Sequence, residues 1–254
     1  MKTETEGRVR ILTLDRPESL NALNSAAWTA LLAELRAAEV DENVRAILIR
    51  AEGRVFCAGN DIKETSRFEN RGEARSYFLD LMLPTLAAMA GSRLPILAEA
   101  HGMALGAGLE LLQFCDIVIS AESCRFQLPE TGIGLWATVY LGSASYAGNR
   151  RMSQFLALTG ESITAQQALN AQLVTRVVAD DELREAGLAV AASITRNAPR
   201  ATAVSKAFAN RTMLAEALPV VRDALTELIE HTIFDTEGRE GVASFMEKRP
   251  PVFP

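Results

Sequence analysis

The sequence predicts an α/β fold over its first two-thirds, followed by an all-helical region. Two observations carry this. Short apolar segments of strand length alternate with longer amphipathic segments up to about residue 178. From Asp181 onward the pattern is helical nearly to the end, with no further strand signal. Residues 1–195 are therefore read as an α/β body and 196–254 as a helical region. An amphipathic tail without strands must bury its apolar stripe somewhere, and a second copy of the chain is one place to do so.

The elements follow in order. Val9, Ile11 and Thr13 alternate with Arg10, Leu12 and Leu14, which predicts a strand that Asp15-Arg-Pro17 ends. Asn24 or Ser25 caps a helix whose Trp28, Leu31, Leu32 and Leu35 share one face. Val44 to Ile49 is a second strand, with Ala51-Glu-Gly53 as its turn. Residues 71–91 form a helix that Pro84 should kink or break. A strand at 95–100 runs through a glycine-rich turn into a helix from about residue 107, and a strand follows at Asp116–Ser120. Phe126 belongs to a short strand before a Pro129-Glu130 loop. Residues 150–159 and 164–171 are short helices, and Leu173 to Val178 is the last strand. The helical runs beyond are separated at Asn197-Ala-Pro199, at Pro219 and at Gly238.

Composition bounds the function. A chain of 254 residues, 48% apolar and 23% charged, is one large domain or two small ones and needs neither metal nor disulfide to build a core. A net charge of −6 argues against nonspecific binding to nucleic acid or to an anionic membrane. Cys57, Cys115 and Cys124 are odd in number and lack C-x-x-C spacing, which points to a reducing compartment, the cytoplasm. The first seven residues carry no apolar signal segment. Residues 131–149 carry no formal charge, but four glycines, two serines and Asn149 make them pocket lining rather than a membrane span.

The chemistry concentrates in His101-Gly-Met-Ala-Leu-Gly-Ala-Gly-Leu-Glu110. A glycine-rich turn from strand to helix leaves backbone N–H groups free at a helix N-terminus. Such donors bind an anion, or an oxygen that becomes one during a reaction. Glu110 in the first helical turn sets an acid–base group beside them, and Glu130 adds a second carboxylate. The turn Phe56-Cys-Ala-Gly-Asn-Asp61 offers further free N–H groups. Two donor turns and two glutamates suggest enolate chemistry.

These motifs recur in an order that resembles a known family. They are Asp15-Arg-Pro, Leu20-Asn-Ala-Leu23, Phe56-Cys-Ala-Gly-Asn-Asp-Ile-Lys63, His101-Gly-x-Ala-x-Gly-Ala-Gly-x-Glu110, Cys115-Asp116 and Leu128-Pro-Glu130. Leu158-Thr-Gly160, Ala168, Leu173-Val-x-Arg-Val-Val178 and Phe245-Met-Glu-Lys-Arg249 follow. Each is weak alone; the ordered set spans essentially the whole chain and resembles the crotonase superfamily, the enoyl-CoA hydratase and isomerase group. The resemblance implies a spiral of ββα units with a C-terminal helical trimerisation region. It also implies an acyl-CoA thioester substrate and a homotrimer or a dimer of trimers. No metal or redox cofactor is implied, coenzyme A entering as part of the substrate.

The resemblance also assigns roles. The N–H groups of Asn60 and Ala107 would stabilise the enolate oxygen, a type of contact whose loss elsewhere costs about 10²–10³ in rate. Ala107 stands where glycine is common, so its φ should be negative. Glu110 would activate a water for attack at Cβ, and Glu130 would deliver a proton to Cα. Ala22, Ala58, Asp61 and Ile62 would line the pantetheine and adenine path. Phe245 and Lys248 would reach a CoA from the adjacent subunit, an ammonium near the phosphates being physically sensible; Lys63 is a weaker candidate.

Departures bear on the reaction. Gly134-Leu-Trp-Ala-Thr-Val-Tyr-Leu141 replaces the family's usual proline- and glycine-rich stretch beside the acyl group. Trp136 could narrow the acyl pocket, or pack the core. Gln172 stands where a helix end often takes a left-handed glycine, a change that reads as structural. Hydration of a 2-enoyl-CoA to a 3-hydroxyacyl-CoA is the favoured reading, since both glutamates are present. A double-bond isomerase needs only one carboxylate and is the alternative; a non-catalytic acyl-CoA or RNA-binding relative also stays open. A Ser-His-Asp hydrolase fits less well, because only His101 and His231 exist and no G-x-S-x-G occurs.

Overall fold

The computed structural model describes residues 1–147 and 150–254, the backbone alone at 144–147. Strands β1 (Lys2–Glu6) and β2 (Val9–Leu14) form an antiparallel pair closed by Gly7 at φ +57. β2 then pairs in parallel with β3 (Ala46–Ala51), β3 with β4 (Ile96–Ala100), β4 with β6 (Ile117–Ala121) and β6 with β9 (Arg176–Val178). A smaller sheet joins β5 (Met103–Leu105), β7 (Arg125–Gln127) and β8 (Ile163–Thr164).

The parallel sheet is covered on both faces, which is why its strands read as nearly continuous apolar runs. Ile47, Ile49 and Leu12 face a large core built with Trp28, Leu31 and Leu35 of α1 (Ser25–Val40). Ala46, Leu48 and Ile11 face the opposite way, onto Leu188, Ala191 and Ile194 of α9 (Leu183–Thr195). Asn24, not Ser25, caps α1, its side chain accepting from the Ala27 N–H at 2.8 Å.

Between these lie α2 (Ile62–Thr65), α3 (Arg71–Tyr77), α4 (Leu83–Gly91), α5 (Ala107–Gln113), α6 (Thr138–Ala147), α7 (Arg150–Thr159) and α8 (Ala165–Asn170). Beyond α9 come α10 (Pro199–Ala209), α11 (Leu218–Glu227) and α12 (Thr236–Glu247). Among the described residues no helix is long and apolar enough to cross a membrane. Ile133, Leu135, Trp136 and Thr138 of the uncharged stretch line a cavity, while Gly148 and Asn149 lie outside the described residues.

Several expectations are corrected. Pro84 does not break its helix, and Pro219 does not separate two runs. Each stands two residues after the end of a π-helical turn, Phe78–Met82 and Met213–Ala217. There the Leu83 and Leu218 N–H groups bond to carbonyls five residues back, Phe78 and Met213. The wider turn makes room for a ring that would clash with the carbonyl four residues before it. Gly238 lies inside α12, and the chain breaks instead at 233–235, where Asp235 caps α12 through the Gly238 N–H at 2.7 Å. The last strand is shorter than expected, because Leu173 N–H bonds back to Ala168 O at 2.8 Å in the end of α8. Gln172 takes φ +63 there, as its position suggested. Strand β1 was not foreseen, nor was β5, which divides the glycine-rich turn in two.

The helical region is also less dependent on a neighbour than its pattern suggested. Val221, Leu225, Leu228 and Ile229 are buried within the same chain, with α11 packed along α6. Gly142 is forced by this contact, since a Cβ there would lie 2.8 Å from a Val221 methyl group and 3.0 Å from its Cα. What stays exposed is a smaller apolar set, including Val204, Phe208, Val220, Phe245 and Met246.

Candidate active site

The two glycine turns meet. The backbone around Asn60 pairs with Leu23 as an isolated parallel bridge: Leu23 N–H donates to Gly59 O at 2.8 Å and Asp61 N–H to Leu23 O at 2.9 Å. In such a bridge the middle residue's own N–H points the other way. Cys57 bridges Ala104 likewise, so the first turn lies against β5 and the start of α5. A Cβ at Gly59, where φ is +96, would stand 3.3 Å from the Ala107 nitrogen and 3.0 Å from Leu105 O. Only glycine permits this approach. Gly106 carries the positive φ (+50) before α5, which leaves Ala107 in ordinary helical backbone, as anticipated. Ala107 is the first residue of α5, so its N–H has no partner within the helix.

Both donors and both glutamates line one cavity of about 690 Å³. Glu110 is buried, and its Oε1 accepts from the Tyr140 N–H at 3.0 Å. Glu130 opens a short 3-10 turn after β7, with its Oε2 sealed from solvent and without a hydrogen-bond partner among the described residues. Its Oε1 lies so near Gly106 that a Cβ there would be 2.7 Å away. Burial pushes both carboxyls well above the ordinary carboxylate range. For Glu130 the nearby Glu110 charge raises it further, while N–H groups of Tyr140 and Val139 hold Glu110 back. Ionisation of one therefore disfavours ionisation of the other.

Ala58, Ile62 and Trp136 line the same cavity. Ala22 and Asp61 do not. The Asp61 carboxylate pairs with Arg16 at 3.0 Å and caps α2 through the Lys63 N–H at 3.1 Å, while Arg16 also binds Ala22 O at 2.5 Å. Asp61, Lys63 and Arg16 border a shallower hollow beside the cavity. Phe245 and Lys248 lie outside the cavity on the exposed side of α12, Lys248 ending that helix at φ +57.

Sequence reasoning missed the other side of α12. Arg239, Val242, Ala243 and Met246 form a wall of this chain's own cavity. Their i, i+3, i+4, i+7 spacing was visible, but nothing in it says which subunit the stripe faces. Arg239 is the only cation among the described lining residues. The helix is set by close backbone contact: a Cβ at Gly241 would lie 2.0 Å from Ile133 O, and one at Gly134 2.2 Å from Glu237 O.

Comparison with known proteins agrees with this architecture. The model of the enoyl-CoA hydratase/isomerase family matches residues 4–254. A probable enoyl-CoA hydratase of Mycobacterium leprae is 34% identical, the match covering 97% of this chain and 94% of the relative. A 2,3-dehydroadipyl-CoA hydratase of Escherichia coli is likewise 34% identical, over 97% of this chain and 95% of its own. Among solved structures, an enoyl-CoA hydratase/isomerase from Pseudoalteromonas atlantica superposes with a TM-score of 0.88 at 31% identity, covering 100% of this chain and 99% of the other. Sequence and fold thus match over the same full span, and the chain belongs to the enoyl-CoA hydratase/isomerase family, within the crotonase superfamily.

Proposed function

We propose that the protein hydrates a 2-enoyl-CoA to a 3-hydroxyacyl-CoA, holding the thioester oxygen on the N–H groups of Asn60 and Ala107. The observation that carries this reading is the placement of two carboxyls, Glu110 and Glu130, in the cavity that these donors share. Hydration needs one base and one acid in the same site, and a pair carrying one proton supplies both.

The step balances as follows. Glu110 takes a proton from water as the water oxygen bonds to Cβ. The Cα–Cβ π electrons move toward the carbonyl, and the thioester oxygen takes up the charge. Glu130 then gives its proton to Cα as the carbonyl re-forms. The elements of water have been added, and the shared proton has passed from Glu130 to Glu110. The Tyr140 N–H fits the first role, since it fixes one Glu110 oxygen and leaves the other for the water.

Loss of the conjugated enoyl-thioester absorbance on crotonyl-CoA tests the reading directly. Turnover that needs Glu130 but survives Glu110→Gln on a 3-enoyl-CoA would replace it with double-bond isomerisation.

A further inference from the structure

Asn60 is held by more than its backbone. Its side-chain Oδ1 accepts from the Trp28 indole N–H at 3.2 Å and from the Tyr77 hydroxyl at 3.0 Å. Its Nδ2 faces the Met82 sulfur at 3.8 Å. Trp28 and Tyr77 are both almost wholly buried, and the indole N–H also lies 3.2 Å from the Tyr77 oxygen. The Tyr77 hydroxyl makes a further, short hydrogen bond to Leu23 O, the same carbonyl that accepts the Asp61 N–H. One phenolic proton is thus shared by two acceptors, and the indole N–H supplements it at the Asn60 oxygen. Four elements meet here: α1, α3, the Leu23 bridge and the turn at 57–61.

This arrangement exceeds what folding the turn requires. Gly59 already provides the positive φ, and the Leu23 bridge already fixes the chain on either side of Asn60. A small apolar side chain would leave the backbone path intact. The half-buried amide adds a second anchor at the Asn60 side chain, beside the Leu23 N–H bond to Gly59 O that already orients the peptide carrying the Asn60 N–H. The worth of an oxyanion donor depends on its direction being set before charge develops.

We propose that Trp28 and Tyr77 are positioning residues, which through the Asn60 side chain aim the Asn60 N–H at the thioester oxygen. The inference rests on the proposed use of that N–H, though not on hydration as opposed to isomerisation.

The test is spectroscopic. A 4-(dimethylamino)cinnamoyl-CoA absorbs further to the red as its thioester carbonyl is polarised. Wild-type protein should red-shift the bound probe. Tyr77→Phe and Asn60→Ala should each lose a large part of the shift and lower kcat by about tenfold, with KM moving less than about threefold. Tyr77→Phe added to Asn60→Ala should do little more, because its route to the carbonyl is already gone. Trp28→Phe should act in the same direction.

A purely structural role would lower Tm and leave the red shift of bound probe intact; that result overturns the proposal. So would full additivity of Tyr77→Phe and Asn60→Ala. Absence of any red shift in wild-type protein would instead remove the oxyanion reading itself, so the two failures are distinguishable.

Discussion

Glu130 and Gly106 are in contact through the absence of a side chain: a methyl group at Gly106 would lie 2.7 Å from Glu130 Oε1. The same Gly106 has φ +50 and begins the turn into α5. Gly106→Ala therefore strains the backbone and displaces the carboxyl together. We expect kcat to fall by at least about 10², more than any loss of folded protein explains. Steady-state rates beside a thermal melt check this. Full turnover in a folded Gly106→Ala protein would mean that Glu130 works from another position.

Glu110→Gln and Glu130→Gln each remove one of the two acid–base groups. Each should cut hydration kcat by at least about 10² while CoA affinity changes little. The outcome is read from turnover of crotonyl-CoA and from binding of a saturated acyl-CoA.

Trp136 lines the cavity, so its indole sets a limit on what the cavity holds. Trp136→Ala should raise kcat/KM for longer enoyl-CoAs relative to crotonyl-CoA. One methylene in an apolar pocket is worth about 1–3 kcal/mol, so a change over several carbons is easily measured. An unchanged chain-length profile would reduce Trp136 to packing.

Glu99 offers a stability test far from catalysis. It lies buried on β4 beneath α9, its Oε1 has no hydrogen-bond partner among the described residues, and burial pushes its carboxyl up to about 7 against the pull of Arg184 and Arg50. Gly187 is the residue that makes room, since a Cβ there would be 2.0 Å from Oε1. A carboxyl raised on folding binds more protons in the folded chain than in the unfolded one between its ordinary value and about 7. Stability should therefore be greatest below that window and fall as pH rises through it. Glu99→Gln removes the effect, and should be more stable than wild type by about 1–3 kcal/mol at pH 8, with the advantage shrinking toward pH 5. Urea titrations at both pH values check the sign; Glu110 and Glu130 cancel in the difference.

The exposed apolar residues of α10 and α12, Val204, Phe208, Phe245 and Met246, are consistent with burial against another copy of the chain. Light scattering at micromolar concentration should give three or six times 27.5 kDa. A 27.5 kDa species would remove any cross-subunit role for Lys248.

The strands that bury both faces were legible because nothing polar interrupts them, as at Ile47–Ile49. Strand β1 was not, because Lys2-Thr-Glu-Thr-Glu6 is exposed at every position and forms only by pairing with β2. Glycine placement marks the two turns and Glu110 beside one of them, whereas Glu130 and the roles of all four groups come from the resemblance. The same reading could not show that Asp61 is already claimed by Arg16, which lies 45 positions earlier. Nor could it find the π-helical turns, since Pro84 and Pro219 advertise a break that the hydrogen bonds before them prevent.

The wall supplied by α12 has a consequence for how the protein is made. Strands β1–β7, the two glycine turns and both glutamates are on the chain by residue 130, but the cavity that joins the turns and the glutamates is bounded by residues 239–246. A chain growing at about 5–20 residues per second crosses that gap in several seconds at least. Until that helix is made, Glu110 and Glu130 lack the wall it supplies, and so do Phe78 and Met82, which line the same cavity. Residues 131–247 thus separate the appearance of the chemistry from its enclosure, and a chaperone that holds the ribosome-bound chain has its surface to grip in that window.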